Sequence, residues 1–393
     1  MARRKFLIIA SWYPNASSPV GGIFVQDQAQ ALAKKYDVAV IAPRVVGWRE
    51  ILQKKFGAIS QLATEGELLV SRERVIAPIP RALALMYRRW LLAAEKSFRE
   101  LLARWGKPDL IHAHVVLPGG LAAVRLGRQY KIPVVLTEHS SPFSMHLKNA
   151  ALRRWVKETL AHADHVIAVS PALAQQIQAF DKDIAIRIAG NLIDTDFFSP
   201  APTERHNLTT TQFLTIGLLT EQKGITFLLQ AAALLVQRGI AEFTLTIGGG
   251  GPQRPQLERL TQSLGLAEHC RFTGMLARAE VKRQMQHCDV FILPSLHETF
   301  GLVLAEAMAC GKPVIATRCG GPEFVVTPET GILVDAANPE ALANAMADFI
   351  TRRLQYDSQR VRNSVVARFG EAAFLKNVAA LYEEVWAQSD FKT

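Results

Sequence analysis

The sequence predicts an α/β protein of two Rossmann-like, doubly wound domains facing an interdomain cleft. Three observations carry that expectation. At 393 residues the chain is long for one domain and ample for two, each able to bury a core. Short β-branched runs alternate with longer stretches of helical apolar spacing, the rhythm of βαβ units and hence of a parallel sheet covered on both faces. The rhythm stops at a proline-rich polar stretch after Asp196 and then starts again. Open sheets of this class bind ligands outside the carboxyl ends of their strands, so the site is expected there.

Taken in order, the strand-like runs of the first domain, residues 1–198, are 5–10, 38–42, 110–113, 133–137 and 166–169, with helical spacing over 23–36. Arg3, Arg4 and Lys5 precede Phe6-Leu-Ile-Ile, but that apolar run is too short for a secretory leader and reads as a first buried strand. Residues 199–212 read as the linker. The second domain, 213–370, holds strand-like runs at 213–217, 243–247, 289–294 and 313–317, each followed by a helical pattern. A final helical stretch within 371–393 is expected to cross back to the first domain.

Composition narrows the functional classes. With 49% apolar and 20% charged residues the chain is globular, and no run approaches the roughly 20 apolar residues of a membrane span. Cys270, Cys288, Cys310 and Cys319 form no C-x-x-C, so neither a zinc site nor a disulfide framework is indicated, and a cytoplasmic location is expected. The net charge of +10 is unevenly spread: residues 1–200 hold 27 Lys+Arg against 16 Asp+Glu, whereas the remainder is close to neutral. Without a nucleic-acid recognition motif this basic half argues against a nucleic-acid binder. The stretch 81–107, with Arg88, Arg89, Trp90, Lys96, Phe98 and Arg99, has the makeup of a helix that can lie on anionic lipid, at the inner face of the cell membrane.

The most informative segment is Pro294-Ser-Leu-His-Glu298-Thr-Phe300-Gly301-Leu302-Val-Leu-Ala-Glu306-Ala-Met-Ala-Cys-Gly-Lys-Pro. It predicts a short helix over 300–310 with Thr299 as N-cap, whose N-terminus would suit a diphosphate. On such a helix the eight residues from Glu298 to Glu306 would span about 12 Å, one carboxylate for sugar hydroxyls and the other for a ribose. Glu306 sits among Leu304, Ala305, Ala307 and Met308, where a carboxylate needs a partner. Lys223, in Gly217-Leu218-Leu-Thr-Glu-Gln-Lys223-Gly224, is the expected phosphate cation. Gly248 to Gly251 form a glycine turn after a strand, and Gly21-Gly22 lie in the first βα turn, where a backbone without a Cβ can approach a phosphate. His139 ends a strand. His112 and His114 fall on one side of another but lack a third ligand, and no metal site is expected from them or from Asp194-Thr-Asp196.

The span from Glu298 through Glu306 resembles the E-x7-E signature of the retaining glycosyltransferases of family four, which have the GT-B fold. The Lys223 loop, the glycine turn, Gly22 and His139 match that family in the same order. The resemblance implies that Glu298 and His139 act beside the transferred sugar, and that Gly22, Lys223, Phe300, Gly301 and Leu302 hold the donor diphosphate. Glu306 would hold the ribose. It implies a UDP- or GDP-sugar donor, no cofactor or metal, and a saccharide or lipid-linked acceptor in cell-surface polysaccharide or lipopolysaccharide assembly. The donor phosphate itself would take the acceptor proton. Leu218 stands where many members carry an arginine, and Leu192 where glycine is usual. A hydrolysing nucleotide-sugar epimerase of the same fold is the alternative.

Overall fold

The computed structural model describes residues 3–15, 18–46, 60–76, 83–202, 210–351 and 356–390. The chain divides into two compact units. Unit 1 comprises Met1–Val169, Leu173–Ala189 and Leu375–Thr393, and unit 2 comprises Ser170–Ala172 and Gly190–Phe374.

Unit 1 holds strands β1 (Lys5–Ala10), β2 (Asp37–Ile41), β3 (Arg44–Val46), β4 (Ser60–Glu65), β5 (Leu68–Ile76), β6 (Leu110–His114), β7 (Val134–Glu138), β8 (His165–Ala168) and β9 (Ile186–Ile188). They form one sheet in the order β3-β5-β2-β1-β6-β7-β8-β9, with β4 paired antiparallel to β5 and every other pair parallel. The central strand is buried on both faces: Phe6, Leu7, Ile8 and Ile9 are at most 1% exposed, which is why it reads as an unbroken apolar run. Strand order reverses between β1 and β6, so the loops leaving these two strands diverge and open a crevice at their carboxyl ends.

The basic and aromatic stretch forms the helix Leu83–Arg104, residues 81 and 82 lying outside the described set. Its inner face buries Trp90, Ala94, Phe98 and Leu101, and the Trp90 indole N–H donates to the Pro43 carbonyl at 3.0 Å. Its outer face carries exposed Arg88, Arg89 and Arg99 together with Leu92, which is 66% exposed. The last helix, Glu371–Asp390, lays Tyr382 and Trp386 on Phe6, with ring centroids 4.6 and 5.4 Å apart, and Arg4 covers Trp386 at 3.7 Å.

Unit 2 holds β10 (Thr211–Ile216), β11 (Phe243–Gly248), β12 (Cys270–Gly274), β13 (Val290–Leu293), β14 (Val314–Arg318) and β15 (Gly331–Asp335). All are parallel, in the order β12-β11-β10-β13-β14-β15. This is the doubly wound order, and its reversal lies between β10 and β13. The helices Ile225–Gln237 and Pro339–Thr351 cover one face, with Leu228, Leu229, Leu235, Leu342 and Met346 fully buried.

The main segment of unit 2 begins at Gly190, upstream of the proline-rich stretch, of which residues 203–209 lie outside the described set. Hydrogen bonding decides that boundary. Ile193 N–H donates to the Phe369 carbonyl at 2.8 Å, and the Arg362 guanidinium donates to the carbonyls of Thr195 and Phe198 at 2.9 and 3.0 Å. Asp194 belongs to the same structure: it accepts from the Phe197 N–H at 2.9 Å and faces Arg278 at 3.5 Å.

Candidate active site

In unit 2 the loops that leave β10, β11 and β13 are zipped together by backbone. The Gly217 N–H donates to the Gly248 carbonyl at 3.0 Å and the Leu219 N–H to the Gly250 carbonyl at 2.9 Å. Gly249 has φ 124°, and a Cβ there would lie 1.8 Å from the Gly217 oxygen. Only glycine fits. At the other end of the β10 loop, residues Glu221–Lys223 make one 3-10 turn closed by Gly224, with φ 64°. A Cβ on Gly224 would lie 2.0 Å from the Pro294 oxygen, so that contact sets the β10 loop against the β13 loop.

The contact brings Lys223 to Glu298. Lys223 Nζ and Glu298 Oε1 are 2.5 Å apart, and the Ser295 hydroxyl donates to the same oxygen at 2.9 Å. Glu298 is 7% exposed, and its backbone is fixed on both sides: its N–H donates to the Cys319 carbonyl at 3.2 Å and its carbonyl accepts from the Gly321 N–H at 2.8 Å. A half-buried ammonium and a buried carboxylate, 75 residues apart in sequence, thus meet at the carboxyl ends of the two strands that flank the reversal of strand order.

The next helix starts later than its sequence predicts. It spans Leu302–Ala309, and its N-cap is Gly301 at φ 89°, with no side-chain cap, rather than Thr299. Phe300 explains the shift. Its ring is 2% exposed and packs on Phe369 and Phe324, at 5.1 and 6.5 Å, so the chain dives into the core and then turns through a left-handed residue. The 12 Å helical separation of the two glutamates therefore does not hold, since Glu298 precedes the helix. The first turn uses Gly301 carbonyl as acceptor for Leu304 and Ala305, leaving the N–H groups of Leu302 and Val303 outside the helical ladder. Glu306 sits one turn on, half-buried between buried Ala305 and Ala307, and its charge adds to the burial that pushes the Cys310 thiol up to about 12.

The two remaining candidates are in unit 1. Gly22 is the N-cap of the helix Ile23–Ala33 at φ 75°, and a Cβ there would lie 2.4 Å from the Trp12 carbonyl group. His139, 7% exposed, follows β7. Its Nε2 is 3.0 Å from His114 Nδ1, the two rings stack, and Phe24 of the Gly22 helix lies 4.7 Å from it. His112 is held by the Tyr382 hydroxyl and Thr137 Oγ1, both at 2.7 Å, and burial pushes its pKa down to about 3. His114 is lowered too, by burial first and then by its two histidine neighbours, so both rings are neutral near pH 7.

Sequence reasoning passed over Glu138. It is fully buried, and it accepts from three backbone N–H groups: Val116 at 2.6 Å, Ser140 at 2.7 Å and His139 at 3.0 Å. One carboxylate thereby ties the loop after β6 to the loop after β7. The adjoining Val115 stands at φ 73°, a conformation that strains a β-branched residue, with its own N–H donating to the Thr137 carbonyl at 2.8 Å. The signal was available: Thr137-Glu138-His139-Ser140 is a polar quartet closing an apolar strand, and buried polar residues in such a place need partners.

Comparison with known proteins decides the family. The family described as Glycosyltransferase Family 4 matches residues 21–197, and Glycosyl transferases group 1 matches residues 201–364. The chain is 30% identical to the putative teichuronic acid biosynthesis glycosyltransferase TuaC of Bacillus subtilis, across 98% of this chain and 95% of that one. The chain belongs to glycosyltransferase family four. Another relative of this glycosyltransferase is the D-inositol 3-phosphate glycosyltransferase of Corynebacterium glutamicum, 30% identical over 72% of this chain and 73% of that one. Among solved structures, sucrose-phosphate synthase from Thermosynechococcus elongatus aligns with a TM-score of 0.80 at 24% identity, covering 98% of this chain and all of that one. The Anabaena protein HepE in complex with UDP aligns with a TM-score of 0.72 at 20% identity, over 97% of this chain and all of that one. These likenesses place the glycosyltransferase in the GT-B fold class, with two parallel-sheet α/β domains.

Proposed function

We propose that this glycosyltransferase is retaining and metal-independent, and moves a sugar from a nucleotide-diphosphate sugar to a saccharide or lipid-linked acceptor in cell-surface polysaccharide or lipopolysaccharide synthesis. The observation that carries the reading is the Lys223–Glu298 pair, 2.5 Å apart at the strand-order reversal of unit 2, beside a helix that begins at a glycine. A diphosphate arriving there competes for the lysine and meets the N–H groups of the helix start. In this reading Phe300 and Gly301 with Leu302 contribute backbone to the phosphates, Glu298 turns to the sugar hydroxyls, and Glu306 takes the ribose. To Gly22 and His139 we assign the roles that the family resemblance implies, contact with the diphosphate and with the transferred sugar. Charge on the leaving diphosphate is then neutralised by fixed groups, and the phosphate rather than a side chain accepts the acceptor proton.

The likeness to TuaC, a teichuronic acid biosynthesis glycosyltransferase, supports a cell-surface product, and HepE has been solved with UDP and with UDP-glucose, which makes UDP-sugars the first donors to try. A panel of UDP- and GDP-sugars should raise the melting temperature for one nucleotide, since ligand at a hundred times Kd adds about 2.7 kcal/mol. NMR of the product should show the donor's anomeric configuration, at a rate unaffected by EDTA. Stabilisation by no nucleotide sugar would remove the proposal, and an isomerised free sugar formed without acceptor would establish the epimerase instead.

The outer face of Leu83–Arg104, where exposed leucine stands among arginines, also supports peripheral contact with anionic membrane, and so a place at its inner face. Co-sedimentation with phosphatidylglycerol vesicles but not with phosphatidylcholine vesicles is the expected result. Equal pelleting with both sinks it.

A further inference from the structure

The paired strands β6 and β7 set a column of polar side chains on one face of the unit 1 sheet. Side chains alternate along a strand, so His112 and His114 share a face, and the parallel register puts His114 beside Thr137, two residues before His139. All four are buried, at 7% exposure or less. Tyr382 of the last helix closes one end of the column on His112, and Phe24 of the helix Ile23–Ala33 lies on His139 at the other.

His112 and His114 are satisfied differently. His112 has a partner on each ring nitrogen, the Tyr382 hydroxyl and Thr137 Oγ1. His114, fully buried, has its Nδ1 3.0 Å from His139 Nε2, while its own Nε2 meets no hydrogen-bond partner among the described residues. A buried polar atom in that position needs a reason, because an apolar side chain would pack there without the desolvation penalty. Burial keeps the His114 ring neutral, so one of its nitrogens carries the proton and the other is bare. Were Nε2 the protonated one, an N–H would be buried with no acceptor, the rarer kind of orphan. The proton therefore sits on Nδ1 and points at His139. An imidazole that accepts on Nε2 carries its own single proton on Nδ1.

We propose that His114 is a positioning residue that donates its Nδ1–H to His139 Nε2, and so holds His139 as the Nδ1-protonated tautomer, a hydrogen-bond donor to an oxygen of the transferred sugar. The proposal rests on the reading that His139 stands beside that sugar, and deepens it by fixing what the ring can do there. With Nε2 occupied and Nδ1 protonated, His139 has no bare nitrogen to take a proton and cannot act as general base. That agrees with the donor phosphate taking the acceptor proton.

The tautomer is read without turnover, by long-range proton–nitrogen NMR correlation on the full chain carrying labelled histidine, the His139 signals being identified by their loss in His139→Gln. In the wild-type protein Nδ1 of His139 should be protonated and Nε2 bare, and His114→Leu should release the ring into a mixture of tautomers. Kinetics form the second arm. His114→Leu should lower kcat about tenfold with the donor KM changed less than about twofold, since orientation in the transition state is lost and donor binding is not. His114→Asn, whose amide N–H stands close to the place of Nδ1, should recover kcat to within about threefold of wild type. A side chain that merely filled the core would give the reverse order, because leucine packs a buried site better than asparagine. Melting temperatures check that both variants fold, and should the leucine variant fail to, the wild-type tautomer and the asparagine variant still decide. A wild-type His139 protonated on Nε2, a tautomer unchanged in His114→Leu, or a leucine variant that equals the asparagine variant in kcat overturns the proposal. Absence of transfer from every nucleotide sugar, with the tautomers as expected, would fail the transferase reading and leave the hold of His114 on His139 standing.

Discussion

Lys223→Ala is expected to lower kcat/KM for sugar transfer by about a hundredfold or more, because it removes a fixed cation from the leaving diphosphate. The same change should destabilise unit 2. Glu298 is 7% exposed and would keep the Ser295 hydroxyl but lose its ammonium, and leaving a buried carboxylate without its cation costs roughly 2–4 kcal/mol. The double variant Lys223→Ala with Glu298→Gln separates the two effects. Neutralising the orphaned carboxylate should restore most of the melting temperature, while transfer stays low because the cation is still missing. A Lys223→Ala protein that melts early yet transfers sugar at close to the normal rate would show the pair to be purely structural.

Glu138→Leu should be the most damaging single substitution in unit 1. The side chains are similar in volume, so the cavity term is small, but three backbone N–H groups lose their acceptor at once inside the protein. At about 1–3 kcal/mol for each unsatisfied donor, the loss is roughly 3–9 kcal/mol, enough to unfold many domains. Glu138→Gln should cost less, since its carbonyl still accepts while its amide group faces donors. Urea denaturation followed by tryptophan fluorescence reads both. An unchanged midpoint for Glu138→Leu would mean that the two loops hold themselves without the carboxylate.

The buried strands were legible because each is covered on both faces and so written in consecutive apolar residues. Phe6 to Ile9 and Val290 to Leu293 are examples. The β3-β4-β5 edge was not, because β4 is half-exposed along its length and its sequence, Ser-Gln-Leu-Ala-Thr-Glu, has little apolar content. Helix starts suffered from a different ambiguity. Thr299 has the chemistry of an N-cap, yet burial of Phe300 outweighed it and passed the role to Gly301. For the candidate site, the sequence offered Lys223 and Glu298 as separate candidates. That they touch depends on Gly224 lying against Pro294, a tertiary contact that no local pattern encodes. The boundary between units was drawn on composition, whereas Arg362 and Phe369 claim the residues from Gly190 onward for unit 2 by hydrogen bonds that only the folded chain reveals.

The backbone-to-backbone seating of Gly249 on Gly217 and of Gly224 on Pro294 also constrains how this protein can diversify. Three loops that share their main chains at van der Waals distance cannot accept a side chain at the seams, so random substitution there is purged whatever nucleotide a descendant comes to prefer. Variation is left to positions that project outward from the same loops. Leu218, 60% exposed, is one such position, and a lineage shifting its taste in donors has room to do so there without disturbing the frame beneath.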